Sequence, residues 1–303
     1  MRVLLTGATG FIGSHIADSI LSSGHEVIII KRQKSSLQNC QSFIHRVPII
    51  DIDTSNWISD ICKMKPEVIV HTAWNGVASE TRDDWESQLS NIQLTNELLY
   101  IAEYCNVNKF IAIGSQAEYG DYSGVVSEES PINPVTKYAY LKVAILAQIR
   151  SFCELRKIDW YWLRVFSVYG ERESSNWLIP SVISCMLNGG KEMNFTPCEQ
   201  KYAYLYVKDL AEAVLKVCVS KGCSGIYNVS SSHPIELRQL LSAIREKINP
   251  DFKLNFAVLP YREKQAMHLE GDSAKYIKQF GFFENHSFEE VINSVINYYR
   301  KLQ

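Results

Sequence analysis

The chain has 303 residues, about twice the ~150 of an ordinary domain, which allows one large α/β unit or a main domain with a smaller one. Its 31 Lys and Arg against 33 Asp and Glu leave a net charge of −2, without the basic footprint of a nucleic-acid surface. A hydrophobic fraction of 46% and a charged fraction of 21% exclude a disordered or collagen-like chain. No apolar run approaches the roughly 20 residues of a membrane helix. Met1-Arg2-Val3-Leu4-Leu5-Thr6-Gly7 carries no leader-like apolar stretch before a cleavage site, so a cytoplasmic protein is expected. Eight cysteines, at 40, 62, 105, 153, 185, 198, 218 and 223, form no Cys-x-x-Cys and no Cys/His cluster of zinc spacing. Reduced thiols and no metal are expected.

Val3–Leu5 reads as a first strand, and Phe11–Ser23 as a helix with Phe11, Ile12, Ile16, Ile20 and Leu21 near helical spacing. Gly24-His25 ends it. Further strands are predicted at Val27–Ile30, Arg46–Ile50, Val68–Val70, Phe110–Ile113 and Trp160–Val165, with long helices over Trp85–Tyr104 and Tyr138–Cys153. Continuous apolar strands separated by helices predict an α/β fold, a doubly wound parallel sheet covered on both faces. After Gly170 the rhythm shortens, broken at Pro180, Gly189-Gly190 and Pro197. Helices are expected at Leu210–Val219, Leu237–Ile248 and Phe288–Leu302, and a strand at Ile226–Val229. The expected division is a nucleotide-binding domain over residues 1–170. Residues 171–303 then form mainly a smaller α/β substrate lobe, partly interleaved with the main sheet.

Gly7-Ala8-Thr9-Gly10-Phe11-Ile12-Gly13 lies between the first strand and the first helix. Glycines there let the backbone turn tightly and approach a pyrophosphate, which the free N–H groups and dipole of the helix N-terminus attract. The spacing is G-x-x-G-x-x-G. At this point the chain resembles the extended short-chain dehydrogenase/reductases, the nucleotide-sugar epimerase/dehydratase group. The resemblance implies a Rossmann fold holding NAD or NADP on Gly7, Thr9, Gly10, Phe11, Ile12 and Gly13. NAD-binding relatives end the second strand with a carboxylate for the adenosine ribose. Here the strand ends Ile30-Lys31-Arg32, which fits the 2′-phosphate of NADP. One charge-assisted contact contributes ~1.5–3 kcal/mol, roughly tenfold to a hundredfold. Asp51-Ile52 stands where the family contacts adenine. Ala73 and Asn91 fall at further cofactor positions, Asn91 around the active-site lysine.

Tyr138 and Lys142 form Tyr-x-x-x-Lys, an i, i+4 pair on one helix face. A free tyrosine has a pKa of about 10 and is a poor base, and a neighbouring cation favours its phenolate. Tyr138 is then the proton-exchanging group of a hydride transfer. In Ser115-Gln116-Ala117-Glu118-Tyr119-Gly120, the resemblance makes Ser115 the third catalytic residue. It also implies that the 4,6-dehydratases carry Asp-Glu directly after that position. Gln116 and Ala117 cannot move the protons of an elimination, and Glu118 is one place off.

Ser167 replaces the asparagine of the family's Leu-Arg-x-x-Asn-Val-Tyr-Gly segment. Substrate contacts are expected from Trp74, Gln116, Glu118, Ser167, Asn176, Trp177, Tyr204 and Arg262, with Arg262 facing the diphosphate in place of an arginine the family puts at Tyr202. His71 is expected to be a packed strand histidine. These features point to an NADPH-dependent 4-ketoreductase of a nucleotide-diphospho-4-keto-6-deoxyhexose, serving surface-polysaccharide (O-antigen) sugar synthesis. The alternatives are a 4-epimerase retaining NAD and, last, a non-enzymatic redox-sensing module. A nucleotide-diphosphate sugar is the expected partner, with no nucleic acid or membrane. The resemblance implies a homodimer through the helices over Trp85–Tyr104 and Tyr138–Cys153.

Overall fold

The computed structural model describes residues 1–78, 80–263 and 265–302. Strand β1 (Arg2–Thr6) leads into α1 (Phe11–Ser22), β2 (Glu26–Lys31), β3 (Ile49–Asp51), α2 (Trp57–Met64), β4 (Val68–His71), α3 (Trp85–Tyr104) and β5 (Lys109–Ser115). Then come β6 (Gly124–Val126), α4 (Lys137–Arg156), β7 (Asp159–Val165), β8 (Val168–Tyr169), α5 (Leu178–Leu187), β9 (Glu192–Asn194), β10 (Lys201–Tyr202) and β11 (Leu205–Tyr206). The chain closes with α6 (Val207–Val219), β12 (Gly225–Val229), β13 (Ile235–Glu236), α7 (Leu237–Ile248), β14 (Lys253–Asn255), β15 (His268–Gly271), α8 (Ala274–Phe280) and α9 (Phe288–Arg300).

The main sheet runs β12-β7-β5-β4-β1-β2-β3, and every neighbouring pair is parallel. This is the Rossmann arrangement. Its strand order reverses beside β1, which opens a crevice at the carboxyl ends of β1 and β4. One face of the sheet is covered by residues such as Ile16, Ile20, Leu210 and Val214 from α1 and α6, all fully buried. The other is covered by Leu98, Ile101, Ile145 and Ile149 from α3 and α4. Each such aliphatic side chain contributes about 1.5–3 kcal/mol on burial. A third cluster, with Val182, Ile183, Leu240, Leu241, Ile244, Val291 and Val295, joins α5, α7 and α9. No helix among the described residues is long and apolar enough to cross a membrane.

The apolar strands and long helices form where the sequence places them, with ends shifted by a few residues. The third strand begins at Ile49, not Arg46, because Ile44–Arg46 closes a 3₁₀ turn. Helix α5 runs through Pro180, where the sequence predicts a break. The proline sits in the first helical turn, where its missing N–H removes no intrahelical bond. Strand β12 lies at the edge of the main sheet against β7, so the chain returns to the first fold after Gly170.

Candidate active site

Three loops meet at the carboxyl edge of the sheet. The first is the glycine turn between β1 and α1. Gly7 has φ +72°, and a Cβ there would stand 2.4 Å from Thr72 Oγ1 and 2.7 Å from the Ala73 nitrogen. A Cβ on Gly13 would stand 2.1 Å from the Gly7 carbonyl oxygen. Only hydrogen fits at either position. The turn is closed by the Gly10 N–H donating to Gly7 O at 2.9 Å. Helix α1 starts at Gly10 with no side-chain cap and no acidic residue in its first turn. Its first N–H groups, at Phe11, Ile12 and Gly13, therefore lack an intrahelical acceptor. Gly10 is exposed, and a Cβ there would meet only Gly7 O, at 3.3 Å. A cradle with free N–H groups and a positive dipole end fits a dinucleotide pyrophosphate. Ala73 lies beneath it, its N–H donating to Thr6 Oγ1 at 3.0 Å.

At the end of β2 the two basic residues differ. Lys31 folds back, its Nζ 3.7 Å from Asp51 Oδ2 and 3.1 Å from the Arg32 carbonyl oxygen. Asp51 also accepts the Asp53 N–H at 3.0 Å. Arg32 is exposed. Of the two residues expected at the cofactor, Arg32 is the outward one, and Lys31 is paired with the residue expected at the adenine. Ile52 packs its side chain on the core beneath.

The second loop follows β4. Trp74 donates from Nε1 to Gln88 Oε1 at 3.0 Å. Its ring lies 3.6 Å from Lys142 Nζ and edge-on to Tyr138, centroids 5.8 Å apart. Asn91 bonds the loop after β4. Its Oδ1 accepts the Asn75 N–H at 2.7 Å, and its Nδ2 donates to the carbonyls of Asn75 and Gln88, so it fastens the loop that carries Trp74. His71 is a packed strand histidine: Nδ1 bonds Thr6 Oγ1 at 2.8 Å, and burial drives its pKa down to about 3.

The third loop follows β5 and faces α4. Thr136 caps α4 by accepting the Ala139 N–H, and one helical turn brings Tyr138 and Lys142 to the same side. Both are buried. Lys142 Nζ donates to Ile113 O at 2.7 Å. Burial pushes its pKa down, with the Glu118 charge opposing. Burial pushes the Tyr138 phenol up, and the Ser115 hydroxyl and then the Arg82 cation draw it back. Ser115, Tyr138 and Lys142 therefore come together as the sequence indicated.

Glu118 does not join them as a substrate contact. It is fully buried. Its Oε1 accepts from the Ser115 N–H and from Trp162 Nε1, both at 2.8 Å, and its Oε2 from Arg164 Nε at 2.8 Å. A buried carboxylate so engaged holds the Ser115 backbone, and losing it leaves Arg164 unpaired inside the protein, at a cost of about 3–5 kcal/mol. Gln116 is partly exposed and carries a buried Oε1 without a partner among the described residues. Farther out, the Ser167 carbonyl accepts the Leu205 N–H at 2.7 Å. Asn176 and Trp177 are exposed, and Trp177 opens α5. Tyr204 packs edge-on against Tyr169. Arg262 is exposed and its charge lowers the pKa of the Tyr202 phenol against burial, which raises it. No metal-binding cluster occurs among the described residues.

Arg82 was missed in the sequence. Nothing in its spacing marks it, since it lies in an irregular acidic stretch before α3. Its guanidinium carbon is 4.6 Å from the Tyr138 ring centre.

Residues 3–230 match the profile of the NAD dependent epimerase/dehydratase family. The chain is similar to CDP-abequose synthase of Salmonella muenchen, 26% identical over 98% of this chain and 97% of the relative. It is also similar to dTDP-6-deoxy-L-talose 4-dehydrogenase (NAD(+)) of Aggregatibacter actinomycetemcomitans, 23% identical over 89% of this chain and 99% of the relative. Among solved structures, UDP-glucose 4-epimerase of Thermotoga maritima with UDP-glucose shares the fold with a TM-score of 0.88 at 24% identity, covering 100% of this chain and 99% of that one.

Proposed function

Because the chain belongs to the NAD dependent epimerase/dehydratase family, we propose that it is a nucleotide-sugar 4-ketoreductase. Its substrate in this reading is a nucleotide-diphospho-4-keto-6-deoxyhexose, with NADPH as the hydride source. The observation that carries the reading is the assembled Ser115, Tyr138 and Lys142, with the nearby carboxylate of Glu118 engaged on both oxygens. An elimination needs an acid and a base at that place; a ketone reduction needs one proton donor. The name of the relative acting as a 4-dehydrogenase on a dTDP-linked 6-deoxyhexose supports the same carbon and the same sugar class.

The glycine cradle, the start of α1 and Arg32 would hold the dinucleotide, and Lys142 its nicotinamide ribose; the nicotinamide, when bound, supplies the hydride. Tyr138 gives its phenolic proton to the C4 oxygen as charge develops there. Ser115 hydrogen-bonds that same oxygen. Lys142 stabilises the phenolate left behind, and Trp74 narrows the space over both side chains. Residues 171–303 mainly shape the sugar-nucleotide side, with Gln116, Trp177 and Arg262 as contacts. A cytoplasmic homodimer belongs to the reading, supported by Leu89, Tyr100, Tyr104, Tyr140 and Leu155 standing exposed on α3 and α4.

The same three residues would serve a 4-epimerase that retains NAD, the activity named for the structural relative. A screen of 4-keto sugar nucleotides against NADPH consumption separates the two. Net NADPH oxidation with a 4-keto-6-deoxyhexose nucleotide is expected, and Tyr138→Phe should lower kcat by about 10²–10⁴-fold. Copurified NAD with interconversion of two nucleotide sugars and no NADPH consumption would replace this reading by epimerisation. Normal reduction by Tyr138→Phe would overturn the mechanism.

A further inference from the structure

We propose that Arg82 is a positioning residue for Tyr138, its fixed cation holding the charge that the phenol acquires on giving up its proton. The proposal rests on the reading of Tyr138 as proton donor.

Two separate contacts join these residues. In the main chain, the Tyr138 N–H donates to Arg82 O at 3.1 Å. Beside it, the Lys137 N–H donates to Asp83 Oδ1 at 2.9 Å. The segment before α3 is thereby stitched to the first turn of α4. In the side chains, the guanidinium lies over the Tyr138 ring, 4.6 Å from its centre, closer than Lys142 Nζ at 5.7 Å. Arg82 Nε is buried with no hydrogen-bond partner among the described residues.

The groups facing Tyr138 come from four elements. Arg82 and Trp74 come from the connection between β4 and α3, and Ser115 from the end of β5. Glu118 comes from the turn after β5, and Lys142 from α4 itself. Of the two cations, Lys142 is buried, and burial pushes it toward the neutral amine. A guanidinium does not deprotonate in a protein. Of the two, Arg82 is the cation that lies nearer the ring. In reduction, the phenolic O–H bond breaks, the proton passes to the C4 oxygen, and the electron pair stays on Tyr138. A fixed cation over the ring stabilises that product and not the neutral phenol. The negative charge of Glu118 opposes it.

The test reads Tyr138 directly. Protein is prepared with fluorotyrosine, whose phenol ionises at lower pH than tyrosine, and titrated by fluorine NMR without nucleotide. The Tyr138 signal is identified by its loss in Tyr138→Phe. Arg82→Gln should raise the titration midpoint of that signal by about one pH unit or more, and Arg82→Lys by less. Arg82→Met keeps the aliphatic stem over the ring and should match Arg82→Gln, which guards against loss of fold in either variant. In turnover, the alkaline limb of kcat should move up by the same amount in the neutral variants, with KM for the sugar nucleotide little changed. An unchanged midpoint in both neutral variants would overturn the proposal. A shifted midpoint together with an active Tyr138→Phe protein would keep the Arg82–Tyr138 coupling and discard the proton-donor reading instead.

Discussion

Lys31 and Arg32 are neighbours in sequence and opposites in space. Lys31 is held by Asp51 and by the Arg32 carbonyl, while Arg32 is free to fork onto a phosphate. Arg32→Ala should therefore lower the NADPH-to-NADH ratio of kcat/KM by about 10–100-fold, the worth of one charge-assisted contact of ~1.5–3 kcal/mol. Lys31→Ala should change the ratio much less. Equal losses in the two variants would mean that the ion pair with Asp51 opens when nucleotide binds. The sequence showed the basic pair but not this division of labour, because the lysine's partner lies on a different strand, 20 residues away. The catalytic pair was more legible. Tyr138 and Lys142 are four residues apart on one helix, so spacing alone puts them on one face. Glu118 was less legible for the opposite reason: its partners Trp162 and Arg164 lie 44 and 46 residues on, while its place one residue past the acid and base positions of the dehydratases suggested a substrate contact.

The turn from β1 to α1 shows how an element builds a site from absent side chains. Gly13→Ala would press a methyl against the Gly7 carbonyl, an overlap of backbone that no rotamer relieves. It should weaken NADP binding at least tenfold and destabilise the fold by about 1–3 kcal/mol. Gly10→Ala meets only a 3.3 Å contact. It should weaken binding while leaving the urea midpoint almost unchanged, because its methyl crowds the face where the N–H groups emerge. Titration calorimetry with NADP beside urea unfolding measures both. Equal stability losses would show that Gly10 also packs inside the turn. The elements of the main sheet were readable because strands buried on both faces are continuously apolar. The two-residue strands β8, β10, β11 and β13 were not, since each exists only through partners distant in the chain. Helix α2 escaped notice for its shortness, with Trp57 and Ile61 its two buried residues.

Across the whole molecule, a net charge near zero conceals buried groups that fix how stability depends on pH. Burial drives His15 down to about 4 and His71 to about 3. At pH values below about 6.5 the unfolded chain protonates both imidazoles and the folded chain does not. The stability they contribute is therefore complete above about 6.5 and drains as pH falls toward 4 and then 3. Glu173 acts in the reverse sense. Burial raises its pKa to about 8, so its contribution is complete below about 4.5 and drains as pH rises toward 8. From pH 6.5 down to 4.5 the two histidines outweigh the one carboxyl by one proton, a net loss of about 1.4 kcal/mol per pH unit. Below 4.5 Glu171 adds to the loss. Burial opposes its ionisation, yet Lys208 and Ser294 hold its pKa down to about 2, and that stability disappears on protonation. Above about pH 7 the buried Lys142 amine, pushed down to about 7, loses its proton in the folded chain before the unfolded one and offsets Glu173, so urea midpoints should climb from pH 4.5 to about 6.5 and change little from there to 8. His71→Asn can still hydrogen-bond Thr6 but cannot titrate, so it should flatten the acid side by about one proton. A midpoint that climbs steadily on acidification to 4.5 would mean that the two imidazoles accept protons inside the fold, and that the pocket around Thr6, His71 and Lys142 admits water.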